Sequence, residues 1–248
     1  MSAFASVESV YEKFGAEEPY YAVLTSAKYK GRNVDIEEFF RTGEELIDRQ
    51  MQAIAAQKIQ LDRSRALDFG CGVGRLTNAL GRHFDEVIGV DISSTMIENA
   101  KIQRRSENCS FVVNKREDLS QFESGHFSFI YSDITIQHIP PPASENYIRD
   151  FLRLLTPGGI ALFLVPDGPL FSHGSLPARF DKFYRERFRP FYKWVRGKRP
   201  VQIHRLARER VQQLVEESGG DLVRVESHPR WTSGSKKYKP LYYWARKK

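Results

Sequence analysis

The sequence predicts a doubly wound α/β domain, a parallel sheet with helices packed on both faces. Short apolar runs alternate with helical patterns from Arg65 to Asp167, as strand–helix–strand crossovers require. A turn with glycine at 70, 72 and 74 joins the first run to the first helix, where ligands bind in such sheets. The length of 248 residues, 41% hydrophobic and 28% charged, suits one domain of generous size carrying an insertion.

Residues 1–60 read as a helical cap. A helical pattern reaches Phe14, and from Asp35 the apolar residues Ile36, Phe39, Phe40, Ile47, Met51 and Ile54 recur at three- and four-residue steps. That spacing predicts an amphipathic helix with its stripe on the body of the domain. The sheet domain follows over 61–248. RALDFG is its first strand, GRLTNALGRHF the next helix, and EVIGVD the second strand. SSTMIENAKIQRR is a helix capped by Ser or Thr, with Glu98 three residues beyond Thr95. CSFVVN and HFSFIYSD are further strands, with a turn or short helix over Glu117 to Phe122 between them. SENYIRDFLRLL is a helix that should stop at TPGG, before the strand IALFLVPD. Residues 166–203 are too many for a bare loop and read as a basic helical insertion. RLARERVQQLVEESGG then gives a last helix, and LVRVES with PLYYWARK an antiparallel hairpin at the sheet edge.

The formal net charge of +7 is local. From Arg179 to Arg199 there are nine Lys or Arg against two acids, and the closing KKYKPLYYWARKK is basic and aromatic. Such a surface suits a phosphorylated or carboxylated molecule, nucleic acid or anionic lipid, and also serves solubility alone. The start, MSAFASVESVYEKFG, lacks a secretory pattern, and no run approaches the ~18 apolar residues of a membrane span. Cys71 and Cys109 are too few for a disulfide framework or a zinc site, so no metal is expected and the cytoplasm is the simplest location.

The stretch LDFGCGVGRL decides between ligands. Its glycines fit neither the G-x-G-x-x-G of dinucleotide sites nor a Walker loop, and Asp68 stands two residues ahead of Gly70. A carboxylate beside the turn repels a pyrophosphate and favours a ligand that is cationic there. S-adenosylmethionine (SAM), with an ammonium, a sulfonium and no phosphate, has that character. Asp91, seventeen residues after Gly74, ends the second strand, where a carboxylate accepts hydrogen bonds from two ribose hydroxyls. A helix or turn cap is the alternative use of either aspartate.

With these residues in view, the chain resembles the class I SAM-dependent methyltransferases over roughly Arg65 to Val165. LDFGCGVGRL, VIGVDIS, FSFIYSDITIQHI and LTPGG stand in the order and spacing of that family. The resemblance implies a Rossmann-like seven-stranded sheet with its last strand antiparallel. It also implies SAM as methyl donor, S-adenosylhomocysteine (SAH) as product, and no metal. Asp68, Gly70, Cys71 and Gly72 would surround the methionine portion, with Gly74 and Ser132 as further cofactor-binding residues. Asp91 would take the ribose and Ile92 and Met96 flank the adenine. The acid that commonly meets the adenine amino group is replaced by Lys115, leaving Arg116 and Glu117 as candidates.

Methyl transfer to a hydroxyl needs a base near the acceptor. His138 follows the fourth strand and titrates in a suitable range, although a hydrogen-bonded structural histidine is the other reading. The stretch YSDITIQHI also resembles phosphoethanolamine methyltransferases, which pair such a histidine with an amino-terminal tyrosine. Tyr20 or Tyr21 would supply it, while Asp133 and Ile134 replace the Arg-Asp pair of those enzymes. Arg185, Arg187, Arg189 and His173 in the insertion are candidates to hold an anionic acceptor. A small molecule or glycan is the favoured acceptor. An RNA- or protein-directed methyltransferase, or a SAM-binding protein without turnover, are the alternatives.

Overall fold

The computed structural model describes residues 3–31, 33–168, 203–227 and 239–248. One sheet of seven strands runs in the order β3-β2-β1-β4-β5-β7-β6. β1 (Arg65–Phe69), β2 (Glu86–Asp91), β3 (Cys109–Val113), β4 (Phe127–Ser132) and β5 (Leu155–Asp167) are mutually parallel. β7 (Lys239–Lys247) lies antiparallel between β5 and β6 (Gly220–Ser227). The order reverses between β1 and β4, which opens a crevice at their carboxyl ends.

Side chains alternate across the strands and so build two cores. Leu67 and Phe69 face a layer with α6 (Ala143–Leu154) and α7 (Arg208–Glu217), whereas Ala66 faces α3 (Ile36–Ala56), α4 (Arg75–Leu80) and α5 (Ser94–Ile102). α3 begins at Asp35, whose carboxylate accepts the Glu38 N–H at 2.9 Å, and buries Phe39, Phe40, Leu46, Ile47, Met51 and Ile54. Two more helices, α1 (Ala3–Glu17) and α2 (Pro19–Leu24), precede it and roof the crevice. Among the described residues no helix is long and apolar enough to cross a membrane.

Several local expectations need correction. GRLTNALGRHF is helical only from Arg75 to Leu80, because Asn108 Nδ2 donates to the carbonyls of Gly81 and Phe84 at 2.9 and 2.8 Å and so satisfies the chain past the last turn. The expected Ser or Thr cap of α5 is Ser93, which accepts the Met96 N–H at 3.1 Å, while the Thr95 hydroxyl is taken by Glu12 and makes no capping box with Glu98. α6 ends at Leu154, ahead of TPGG as expected, but TPGG is not a turn. It lies within β5, where the register shifts beside Phe127 and a Cβ on Gly159 would sit 2.9 Å from the Ser128 carbonyl. β5 also runs on to Asp167, so the expected insertion at 166 starts inside a strand. Arg185, Arg187, Arg189, His173 and the aromatic steps of that insertion lie outside the described residues. The aromatic end of the chain is core: Tyr242, Tyr243 and Trp244 are buried in β7.

Candidate functional site

A cavity of about 380 Å³ lies at the carboxyl ends of β2, β1 and β4, a volume ordinary for a small-ligand pocket. Its floor is the glycine turn. Gly70, Gly72 and Gly74 have φ of 80°, 53° and 81°, a region side chains disfavour. The Gly70 and Cys71 N–H groups both donate to the Val90 carbonyl, at 2.7 and 3.0 Å, folding the turn across β2. Gly70 is further constrained, since a Cβ there would lie 2.2 Å from Thr135.

Asp91 closes one side. Its two carboxylate oxygens accept the N–H groups of Gly72 and Ser93, each at 2.9 Å, and lone pairs remain for a ligand. Burial pushes its carboxyl up, against the pull of those amides. Ile92, Met96 and Asn114 continue the wall, Asn114 being oriented by Nδ2 donation to the Asp118 carbonyl at 2.9 Å.

On the other side stand Asp133, Ile134, Thr135, Gln137 and His138. His138 ends a 3₁₀ turn, Ile136–His138; its Nε2 lies 3.0 Å from Gln137 Nε2 and its ring 6.0 Å from that of Tyr11. Burial and the nearby Asp91 push the Tyr11 hydroxyl above its ordinary value. The described wall thus carries two carboxylates, Asp91 and Asp133, and no lysine or arginine. A cation is favoured here and a pyrophosphate is not.

Known proteins agree with this geometry. Residues 66–159 match a family described as a methyltransferase domain. Over 109 residues the chain is 32% identical to a ubiquinone biosynthesis O-methyltransferase of Coxiella burnetii, covering 43% of this chain and 45% of that one. The Xanthomonas oryzae enzyme of the same name is 31% identical over 109 residues, 43% of this chain and 44% of its own. The chain therefore matches less than half the length of these curated relatives. Among solved structures, magnesium protoporphyrin IX methyltransferase from Synechocystis PCC 6803 with bound SAH has the same fold, with a TM-score of 0.63, 16% identity, and 98% and 99% of the two chains covered. A SAM-dependent methyltransferase of Leishmania major gives a TM-score of 0.64 at 16% identity, over 97% of this chain and 83% of that one.

Within the matched region, Gly70, Gly72, Asp91, Ile92, Met96 and His138 meet at the cavity, and Tyr21 joins them from α2. Others stand off its wall. Asp68 is buried beneath the turn, where Thr77 Oγ1 donates to it at 2.7 Å; burial pushes its carboxyl up to about 7 despite that bond. Cys71 is buried with its thiol pushed up by burial, and Gly74 instead caps α4 against Phe111. Ser132 donates to the Phe69 carbonyl at 3.0 Å inside the sheet. Arg116 and Glu117 are exposed on the loop after β3, and Asn114 occupies that part of the wall. Tyr20 packs edge-on against Phe39 at 5.1 Å, so the ring facing His138 is that of Tyr11, which sequence reasoning missed.

The roof is fastened by a contact of its own. The Glu12 carboxylate on α1 accepts the Ser94 and Thr95 N–H groups at 2.7 and 3.1 Å and the Thr95 hydroxyl at 2.9 Å, closing the amino end of α5. Burial raises its pKa, but these donors outweigh it and hold the carboxyl at about 2. Lys115 pairs with Glu8 at 2.7 Å, and a Cβ on Gly15 would lie 2.2 Å from Thr95 Oγ1, so the helices touch closely. Lys115 thus ties the loop after β3 to the roof. Behind His138, the Gln137 carbonyl accepts the His204 N–H at 2.7 Å, and Ile203 joins the cavity wall. Among the described residues no cluster of three His, Cys, Asp or Glu could hold a metal, and both cysteines are free.

Proposed function

We propose that the protein transfers a methyl group from SAM to an oxygen of a small-molecule acceptor, with His138 as the base. The observation that carries this is the cavity wall: two carboxylates, no lysine or arginine among the described residues, and a glycine turn between them. Asp91 would accept the ribose hydroxyls, Ile92 and Met96 would sandwich the adenine, and Asn114 would meet its polar edge. When bound, SAM supplies an already activated methyl group. The residues of the chain then need only orient the acceptor, exclude water and take a proton.

His138 is suited to the proton. It sits on the cavity wall beside Tyr11, under the roof that α1 and α2 form against water. The relatives named as O-methyltransferases support oxygen as the accepting atom. The nine-to-two excess of basic residues from Arg179 to Arg199, with Arg185, Arg187, Arg189 and His173 as candidates, supports a phosphate or carboxylate on the acceptor.

Incubation of the protein with methyl-labelled SAM and a metabolite extract tests the reading. A single labelled small molecule with release of SAH is expected. Label in RNA or protein would move the activity to another acceptor class, and SAM binding without release of SAH would leave a binding protein.

A further inference from the structure

His138 has a neighbour that the proposed reaction leaves unused. Gln137 precedes it in the 3₁₀ turn Ile136–His138 and is only 3% exposed. A primary amide is costly to bury unless its hydrogen-bonding groups are used. Its Nε2 lies 3.0 Å from His138 Nε2, on the wall of a cavity lined mostly by apolar side chains. The backbone of both residues is held as well. The Gln137 carbonyl accepts the His204 N–H at 2.7 Å, and the His138 N–H donates to the Thr135 carbonyl at 2.9 Å. The turn thus brings together two adjacent side chains that would diverge in a regular helix or strand.

The atoms that meet restrict the protonation of the ring. An amide NH2 has two donors and no lone pair to offer, so in this contact Gln137 donates and His138 Nε2 accepts. A neutral imidazole that accepts at Nε2 carries its proton on Nδ1. Such a ring is a poor base, because its one lone pair faces the amide. A half-turn of the amide about its last torsion exchanges Nε2 for Oε1 in nearly the same space. Oε1 accepts from an Nε2–H, and the lone pair of the ring then lies on Nδ1.

We propose that Gln137 is the positioning residue of His138 and that its amide decides which ring nitrogen takes the proton of the methyl acceptor. This rests on His138 being the base. With the amide nitrogen toward the ring the base is covered; with Oε1 toward it, Nδ1 is the base. In the second arrangement the hydroxyl O–H bond breaks and its proton bonds to Nδ1. The oxygen forms its bond to the methyl carbon, and the sulfur keeps the electron pair of the S–C bond that breaks. The imidazolium that results keeps its Nε2–H on Oε1, a charge-assisted bond that favours it. Glutamine therefore serves both protonation states, whereas a carboxylate serves one and an apolar side chain neither.

Nuclear magnetic resonance of the protein tests this, because long-range 1H–15N spectra distinguish the two tautomers of a histidine. The chain has six histidines, and His138→Ala identifies the signal. The neutral wild-type ring should carry its proton on Nδ1. Gln137→Glu, which can only accept, should move that proton to Nε2 and raise the pKa of the ring by about 1 or more. Gln137→Met should remove the preference for Nδ1–H. The other titratable groups of the described cavity are Tyr11 on α1, Tyr21 on α2, Asp91 of β2, Tyr147 on α6 and Asp133 of the same loop, to which the Tyr242 hydroxyl donates at 2.6 Å, with His204 behind. None of them changes between these variants, so the comparison isolates the amide. A wild-type ring protonated on Nε2, or one tautomer and one pKa in all three proteins, would overturn the proposal. If Gln137→Glu does not fold, the tautomer in Gln137→Met decides alone. Methyl transfer that survives in His138→Ala would remove the base itself, and this role with it. A tautomer that ignores residue 137 would remove only the assignment.

Discussion

The floor and the roof of the cavity are held in different ways. On the floor, Asp91 is fixed by two backbone amides and the glycine turn is bonded to β2, so its geometry is that of the sheet. On the roof, α1 meets the amino end of α5 through the Glu12 carboxylate, the close approach of Gly15 and bonds from Ser93 and Asn99 to the Tyr11 and Gly15 carbonyls, and it meets the loop after β3 through the Glu8–Lys115 pair. A floor built into the sheet recognises ligand with little reorganisation, whereas a roof fastened by a few polar contacts is the part that opens at low cost. Binding strength should follow the floor and access the roof.

The largest expected effect removes the floor. Asp91→Ala would delete the proposed ribose acceptor and leave the Gly72 and Ser93 amides without their partner, so SAM affinity should fall about 100-fold by calorimetry. Unchanged affinity would contradict the role given to Asp91. Next comes the chemistry: His138→Ala should cut turnover about 100-fold at saturating SAM while sparing SAM affinity. Full turnover in that variant would leave His138 structural.

Roof variants should be milder and different in kind. Gly15→Val places a side chain where Thr95 Oγ1 is 2.2 Å from the first carbon, so α1 must shift. SAM dissociation should then speed up several-fold with little change in the melting temperature of the sheet. A melting transition that falls as far as the off-rate rises would show that roof and floor are one unit. The smallest effect is in pH. Glu12 is held at about 2 against an ordinary 4.5, so its stabilisation of the roof is complete above pH 4.5 and disappears as the pH falls toward 2. Hydrogen exchange of α1 amides should accelerate through that window ahead of the β1 and β4 amides, and Glu12→Gln should abolish the difference.

The same division governs what the sequence could reveal. Floor residues follow from local pattern: a strand ending in Asp91, three alternate glycines and a capped helix place Gly70, Gly72, Asp91, Ile92 and Met96 together. Their neighbours in the chain are largely their neighbours in space. The roof depends on contacts across about eighty residues, such as Glu12 with Ser94 and Gly15 with Thr95, which no periodicity encodes. Tyr11 reaches His138 in the same way, whereas the sequence pattern points to Tyr20 or Tyr21. Asp133 was visible at a strand end, but its partner Tyr242 lies 109 residues away in a segment that reads only as basic and aromatic. Asp68 has the spacing of a ligand contact, and what the spacing does not show is that its side chain lies beneath the turn against Thr77.

The central claim is electrostatic, that a floor bounded by Asp91 and Asp133 selects an adenosine ligand that is cationic and lacks phosphate. Calorimetric titration of the wild-type protein with SAM and, separately, with NAD tests it most directly. Saturable binding of SAM with none of NAD is the predicted result; saturable binding of NAD with none of SAM would contradict it.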